Sequence, residues 1–445
     1  MAKEKTIYFK KGRGNNALYS CMKPFRSFLS ALCCVALCGC SSSTQETVSV
    51  SSDSTSTISS SAVSQEEDLA VLSLIALTQQ KGYDDFAWTL FQNTLEDKEN
   101  TLISPLSLFF ALGLTANGAQ DETLKQMESV LGMSLEECNA LCATLLAQFA
   151  ANPKAQLQLA NCIWFNQEQV GSLQETFESV AVEDYSGQLF IDPLDESSVE
   201  KINTWVASHT NQMILNMVDT LPTNLAMILI NALAFEASWQ SAYSLDDVST
   251  MDFTNADQTT TSVQMMSKTE YAYLENQGFK GFVKGYDEGH FALAVLLPED
   301  ENQSLEEALR KIESQEFLNA LFSSQYREVH TGLPQFSFET SMDLKEALQK
   351  AGMIQAFETD ANFSNIAEAP LYVGEVKQKA KIEMDLNGTK AAAATEVQMM
   401  TMGALNPEDA VEVICNRPFV YFLLDTDHSI PVLMGTVNTM GTMES

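Results

Sequence analysis

Apolar residues recur at helical spacing over Leu69–Lys81, Glu122–Leu131, Ser198–Met213, Ser304–Leu321 and Ser341–Ala351, so an amphipathic helix is predicted in each. Leu225–Phe235 differs, being an apolar run interrupted only by Asn231, the pattern of a strand buried on both faces. Ala292–Leu297, Phe419–Leu424 and Val432–Val437 read as shorter strands. Strands and helices alternate irregularly and no segment repeats. From residue 66 onward no linker-like break interrupts the pattern, so a single large α+β domain built on a dominant sheet is expected over 66–445.

The N-terminus has another character. Lys23 and Arg26 precede an uncharged apolar run from Ser27 to Gly39, too short to span a bilayer and of the length of a signal-peptide core. It ends in Leu37-Cys38-Gly39-Cys40, which resembles a bacterial lipobox, with Cys40 at the lipidated position. Residues 1–39 are therefore expected to be a lipoprotein signal peptide, whose true start could be Met22; an uncleaved short anchor is the alternative. Residues 40–65 follow as a Ser/Thr-rich tether: 16 of the 25 positions from Ser41 to Gln65 are Ser or Thr and none is aromatic, so the segment cannot bury a core. This places the protein in a bacterial cell envelope, exported, held to the membrane through its N-terminal lipid and facing outward.

Charge narrows the partners. The chain carries 25 Lys and Arg against 59 Asp and Glu, a formal net charge of −34, and the leader holds seven of the basic residues. Nucleic-acid binding needs a basic footprint, and none exists. Of nine cysteines, five lie at or before Cys40. The remaining Cys138, Cys142, Cys162 and Cys415 have no His or Cys at ligand spacing and read as buried thiols, without metal. There is no Gly-x-Ser-x-Gly elbow, Walker A loop or His-Glu-x-x-His, and the four histidines stand apart from one another. Nothing supports an enzyme.

One segment is unusual. From Asn387 to Gly403 the chain is Gly-led and rich in small residues. Read as a strand, one face carries Thr389, Ala391, Ala393, Thr395, Val397, Met399 and Thr401, without charge, while Lys390 and Glu396 fall on the other. Composition alone favours an Ala-rich helix instead, since Ala is the best helix former.

The surrounding motifs decide between these. Asn100-Thr101-Leu102-Ile103-Ser104-Pro105-Leu106-Ser107, then Asn117-Gly118-Ala119 and Thr123, resembles the opening motif of the serpin family. Ile202-Asn203-Thr204-Trp205-Val206 with Thr210, and Asn231-Ala232-Leu233-Ala234-Phe235 with Trp239, resemble its next two. Val263-Gln264-Met265-Met266, Leu297-Pro298, Leu333-Pro334-Gln335-Phe336, Asn362-Phe363-Ser364, Arg417-Pro418-Phe419 and Met434-Gly435 follow in the family's order.

The resemblance implies a serpin fold, with three β-sheets, eight or nine helices and an exposed reactive-centre loop. It implies an irreversible suicide-substrate inhibitor of serine proteases, monomeric, needing no cofactor. Its partner is a target protease held as a covalent acyl-enzyme after the cleaved loop enters the main sheet as a new strand. The hinge of that loop is Gly388, Thr389, Lys390, Ala391, Ala392, Ala393, Ala394 and Thr395, and the bond attacked is Met402–Gly403. Met402 suggests elastase-, chymotrypsin- or subtilisin-like targets. The loop is longer than is common in the family, so Thr401–Met402 and Leu405–Asn406 stay open as alternatives. Ser104, Ser107, Asn231 and Gln378 match the shutter beneath the opening sheet, and Trp239 the breach where the loop first enters. Three positions depart from the family pattern: Leu386 and Lys390 replace acidic residues and Gln378 replaces a histidine. A serpin-fold binding or scaffold lipoprotein, cleaved merely as a substrate, is the alternative function.

Overall fold

A computed structural model describes residues 79–151, 156–223, 225–287, 289–389 and 410–441. The chain begins there with a helix, α1, over 79–94, followed by β1 (Thr101–Ile103), α2 (Pro105–Ala116), α3 (Asp121–Leu131) and α4 (Leu135–Ala151). Next come β2 (Gln156–Asn166), α5 (Glu175–Glu183), β3 (Gln188–Asp192), α6 (Glu196–His209) and β4 (Met227–Ser238). The middle holds β5 (Val248–Thr254), β6 (Thr260–Asn276), β7 (Phe279–Gly285), β8 (Phe291–Pro298), α7 (Leu305–Leu309) and α8 (Ser314–Leu321). The last third holds β9 (Gln325–Pro334), β10 (Phe336–Asp343), α9 (Lys345–Ala351), β11 (Val373–Met384) and β12 (Gly388–Thr389). It closes with β13 (Val411–Ile414), β14 (Phe419–Asp425) and β15 (Ile430–Val437).

Nine helices among the described residues surround two mixed sheets. One runs β10-β11-β12-β4-β2-β3; the other runs β1-β15-β14-β8-β7-β6-β9-β13, with β5 also on β6. The 17-residue β6 is long enough to serve two neighbourhoods: its end pairs with β7, while β5 and β9 pair along the rest and β13 extends β9 in parallel. That outer part is the partial third sheet of the α+β expectation.

The strand predicted at Leu225–Phe235 is β4, and its pattern follows from where it lies. Leu229, Leu233 and Phe235 point into the main core. Ile228, Ile230, Ala232 and Ala234 point outward into a second core closed by Ile202 and Val206 of α6. Helix α2 is buried along its entire length and packs on both β4 and β15, so it is apolar all round. Two expectations need correcting. Ser304–Leu321 is two helices, because Gln277 bonds both the N–H and the carbonyl of Glu313 and holds 310–313 as a turn. Ser341–Ala351 begins as the end of β10, where Thr340–Asp343 pairs with Lys377–Ala380, and only Lys345–Ala351 is helical.

Candidate functional site

The two central strands of the six-stranded sheet, β4 and β11, form a seam whose two ends are built differently. Over Val376–Ala380 the strands pair directly and in parallel, Val376 beside Leu229 through Ala380 beside Leu233. Beyond that the strands part, and Gly388–Thr389 stands between them, antiparallel to both: Thr389 faces Met384 on one side and Ala237 on the other.

A tight turn delivers the chain to this position. Asp385 Oδ1 accepts from the N–H groups of Asn387 (2.7 Å) and Gly388 (3.2 Å), and the Asp385 N–H donates to the Gly388 carbonyl at 3.0 Å. Gly388 has φ 157°, and a Cβ there would lie 2.1 Å from the Ala237 carbonyl oxygen, so only glycine fits. Trp239 pins the turn from outside, its indole N–H donating to the Asp385 carbonyl (3.0 Å) and its backbone N–H to that of Asn387 (2.8 Å). The Tyr243 N–H donates to the Leu386 carbonyl at 2.9 Å, while the Leu386 side chain packs against the main core.

Thr389 is buried in an aromatic socket. Its hydroxyl and that of Tyr286 share a hydrogen bond of 2.6 Å, and it also reaches Met384 Sδ at 3.7 Å. Tyr286 stacks on Trp239 at 4.5 Å and meets Phe235 edge-on at 5.1 Å. Burial pushes the Tyr286 phenol well above its ordinary value, so it stays a neutral hydrogen-bonding group. Beside it Lys284, 1% exposed, donates to Glu270 Oε1 (2.6 Å) and the Ser241 carbonyl (2.9 Å) and lies over the Tyr243 ring at 4.5 Å. Burial lowers the Lys284 ammonium and Glu270 opposes that shift. The Lys268 ammonium donates to the next carbonyl, Ala242, at 2.6 Å. The 239–243 segment is thus fixed by two lysines on one side and holds the hinge turn on the other.

The closed end is polar. Gln378 donates through Nε2 to Asn231 Oδ1 (2.7 Å) and the Ser104 carbonyl (2.9 Å), and its Oε1 accepts from the Ser104 N–H at 2.9 Å. Asn231 Nδ2 donates across the seam to the Lys377 carbonyl (3.1 Å). Ser104 both caps α2, accepting from the Ser107 N–H, and donates to the Val432 carbonyl at 3.0 Å, while the Ser107 hydroxyl reaches Asn161 at 3.4 Å. All four side chains are buried, so each bond stands in for one lost to water.

The structure therefore brings Ser104, Ser107, Asn231 and Gln378 together beneath the closed part of the seam, and Trp239 with Gly388 and Thr389 at its open end. Lys390, Ala391, Ala392, Ala393, Ala394, Thr395, the Met402–Gly403 bond, Cys40 and the tether lie outside the described residues. Tyr286, Lys284, Glu270 and Asp385 were not among the residues singled out from sequence. One signal was available: Phe282 and Lys284 of β7 and Tyr286 just after it alternate on one buried face, and a lysine in such a row needs a partner. Among the described residues no His, Cys, Asp and Glu cluster could hold a metal, and Cys138, Cys142, Cys162 and Cys415 are free and buried.

Comparison with known proteins identifies this architecture. The family model described as "Serpin (serine protease inhibitor)" matches residues 81–440. The chain belongs to the serpin family. It is 30% identical to human Serpin B4 over 372 residues, covering 76% of this chain and 93% of that protein. Human plasma serine protease inhibitor is 28% identical, covering 84% and 92%. Among solved structures, the thermophilic serpin tengpin in its native state superposes with a TM-score of 0.75 at 36% identity, over 81% of this chain and 93% of that one. Serpins are generally protease inhibitors and not enzymes.

Proposed function

We propose that this serpin inhibits serine proteases irreversibly, as a suicide substrate of elastase-, chymotrypsin- or subtilisin-like enzymes. The reading is carried by one observation: the hinge residues Gly388–Thr389 already stand as a strand between β4 and β11. A target serine attacks the Met402 carbonyl carbon, the Met402–Gly403 bond breaks, and the Gly403 amine leaves with a proton, so Met402 remains as an ester on the protease. The loop behind that ester then extends the strand that Thr389 has begun. Each residue added exchanges direct β4–β11 bonds for antiparallel bonds on both sides, and the uncharged face of 389–401 enters the core. The enzyme is carried along before the ester can be hydrolysed.

Anchoring by lipid at Cys40, export to the envelope surface and a monomeric state belong to the same proposal, supported by the lipobox-like segment, the Ser/Thr tether and the absence of any role for a second copy in this chemistry. Mixing the protein with an elastase tests it on a denaturing gel with mass analysis. A boiling-resistant band at the summed mass, with a released peptide beginning at Gly403, is expected. Clean cleavage that leaves elastase, chymotrypsin and subtilisin all active would favour the binding or scaffold reading.

A further inference from the structure

The segment 239–243, which holds the hinge turn, uses its peptide groups in two directions. Its N–H groups face the turn and β7: that of Trp239 donates to the Asn387 carbonyl (2.8 Å), that of Gln240 to the Gly285 carbonyl (3.0 Å) and that of Tyr243 to the Leu386 carbonyl (2.9 Å). Its carbonyls face two ammonium groups, Lys284 Nζ on Ser241 at 2.9 Å and Lys268 Nζ on Ala242 at 2.6 Å. The peptide joining Ala242 to Tyr243 is therefore bonded at both ends, to Lys268 through its oxygen and to the hinge turn through its nitrogen. A cation on a peptide oxygen draws density from the conjugated nitrogen and makes the N–H a better donor. Lys268 thus strengthens the hold on Leu386 through a single peptide plane.

The lysines are not needed to satisfy stranded carbonyls. Ser241 is exposed and Ala242 half-buried, so water could serve both oxygens. Lys284 is instead 1% exposed, a costly place for an ammonium. It is kept there by Glu270 Oε1 at 2.6 Å and by the rings of Tyr243 and Trp239 at 4.5 and 5.4 Å. Lys268 lies over the same Tyr243 ring at 5.8 Å, so two like charges converge on one side chain and Glu270 offsets their repulsion. Both rings belong to residues that bond the hinge turn, Trp239 through its indole and backbone N–H and Tyr243 through its backbone N–H.

We infer that Lys268 and Lys284, the latter held by Glu270, are positioning residues that keep the 385–389 turn docked in the seam by acting through the 239–243 segment. For its bearing on inhibition the inference rests on the loop-insertion reading of function: a turn that leaves the seam no longer presents Thr389 between β4 and β11.

Amide hydrogen exchange of the full-length protein tests it, read beside the number of serpin molecules consumed per elastase trapped. Lys268→Met keeps the stem and removes the ammonium. It should speed exchange of the Tyr243 and Trp239 N–H groups about tenfold, leave Leu229 and Ile230 at the closed end unchanged and raise consumption several-fold. Lys268→Arg should behave as wild type. Glu270→Gln combined with Lys284→Met removes both buried charges together and should have the same local effect. If exchange at Tyr243 and Trp239 is unchanged in Lys268→Met and in the double variant, or rises equally at Leu229 and Ile230, the lysines do not position the turn and the inference falls. If exchange responds as expected but wild type traps no elastase, chymotrypsin or subtilisin, the insertion reading falls while the positioning of the turn stands.

Discussion

The two ends of the β4–β11 seam solve the same problem by different means. At the closed end, two strands meet directly and an amide network through Gln378, Asn231 and Ser104 seals them to α2. At the open end the strands are held apart, and two residues of the hinge satisfy their edges while Tyr286 and Trp239 fill the space beneath. A sheet edge left bare would attract any strand, so the hinge both protects the gap and marks where pairing resumes. On the proposed insertion the difference teaches that the strand would need no nucleus, because its first pair exists, and that the cost of each step would be concentrated in the polar bonds of the closed end.

Substitutions at the open end should have the largest effects. Thr389→Arg puts a charge into a socket that is 2% exposed, and should convert inhibitor into substrate, with cleavage continuing and the trapped complex absent on a gel. Gly388→Ala comes next. Its Cβ would collide with the Ala237 carbonyl, so the hinge should be expelled from the seam; slower trapping, and hydrogen exchange newly visible at Ala237 and Met384, would report this. At the closed end, Gln378→Leu leaves the Ser104 N–H and Asn231 Oδ1 without their partner and should cost about 1–3 kcal/mol in urea denaturation of the intact form. Tyr286→Phe removes one hydroxyl bond and should cost about 1 kcal/mol. Equal costs and unchanged trapping for all four would erase the contrast between the ends.

A group remote from the seam gives the smallest effect on inhibition. Asp84 on α1 is buried; Gln315 Nε2 of α8 donates to its Oδ2 at 3.2 Å, and both Asp84 Oδ1 and Gln315 Oε1 lack partners. Burial, with Asp85 adding in the same direction, holds the carboxyl up to about 7. Protonation removes the buried charge that burial disfavours. Because the folded value exceeds the unfolded one, this stabilisation is complete below about pH 4 and is lost as pH rises through about 7. Urea midpoints should fall across that window in wild type and flatten in Asp84→Asn, with trapping unchanged.

Much of this was legible beforehand, and the exceptions have physical causes. The apolar run of β4, interrupted only by Asn231, announced a strand covered on both faces, because one sheet surface meets α2 and the other α6. Gly388 stands where a Cβ would meet the Ala237 carbonyl, as a Gly-led strand in a narrow gap requires, while the small face after Thr389 lies outside the described residues. The Tyr286–Thr389 bond could not be read, since it joins residues 103 positions apart and depends on the turn made by Asp385. The split of 304–321 was equally hidden: no Gly or Pro interrupts its helical spacing, and the break is imposed by Gln277 from a distant hairpin.

The most direct measurement is the heat stability of the intact protein against the same protein cleaved once in its loop. If the seam accepts the strand that Thr389 begins, the cleaved form should melt far above the intact one, with no increase in Thr389→Arg. Equal melting of intact and cleaved wild type would contradict the account.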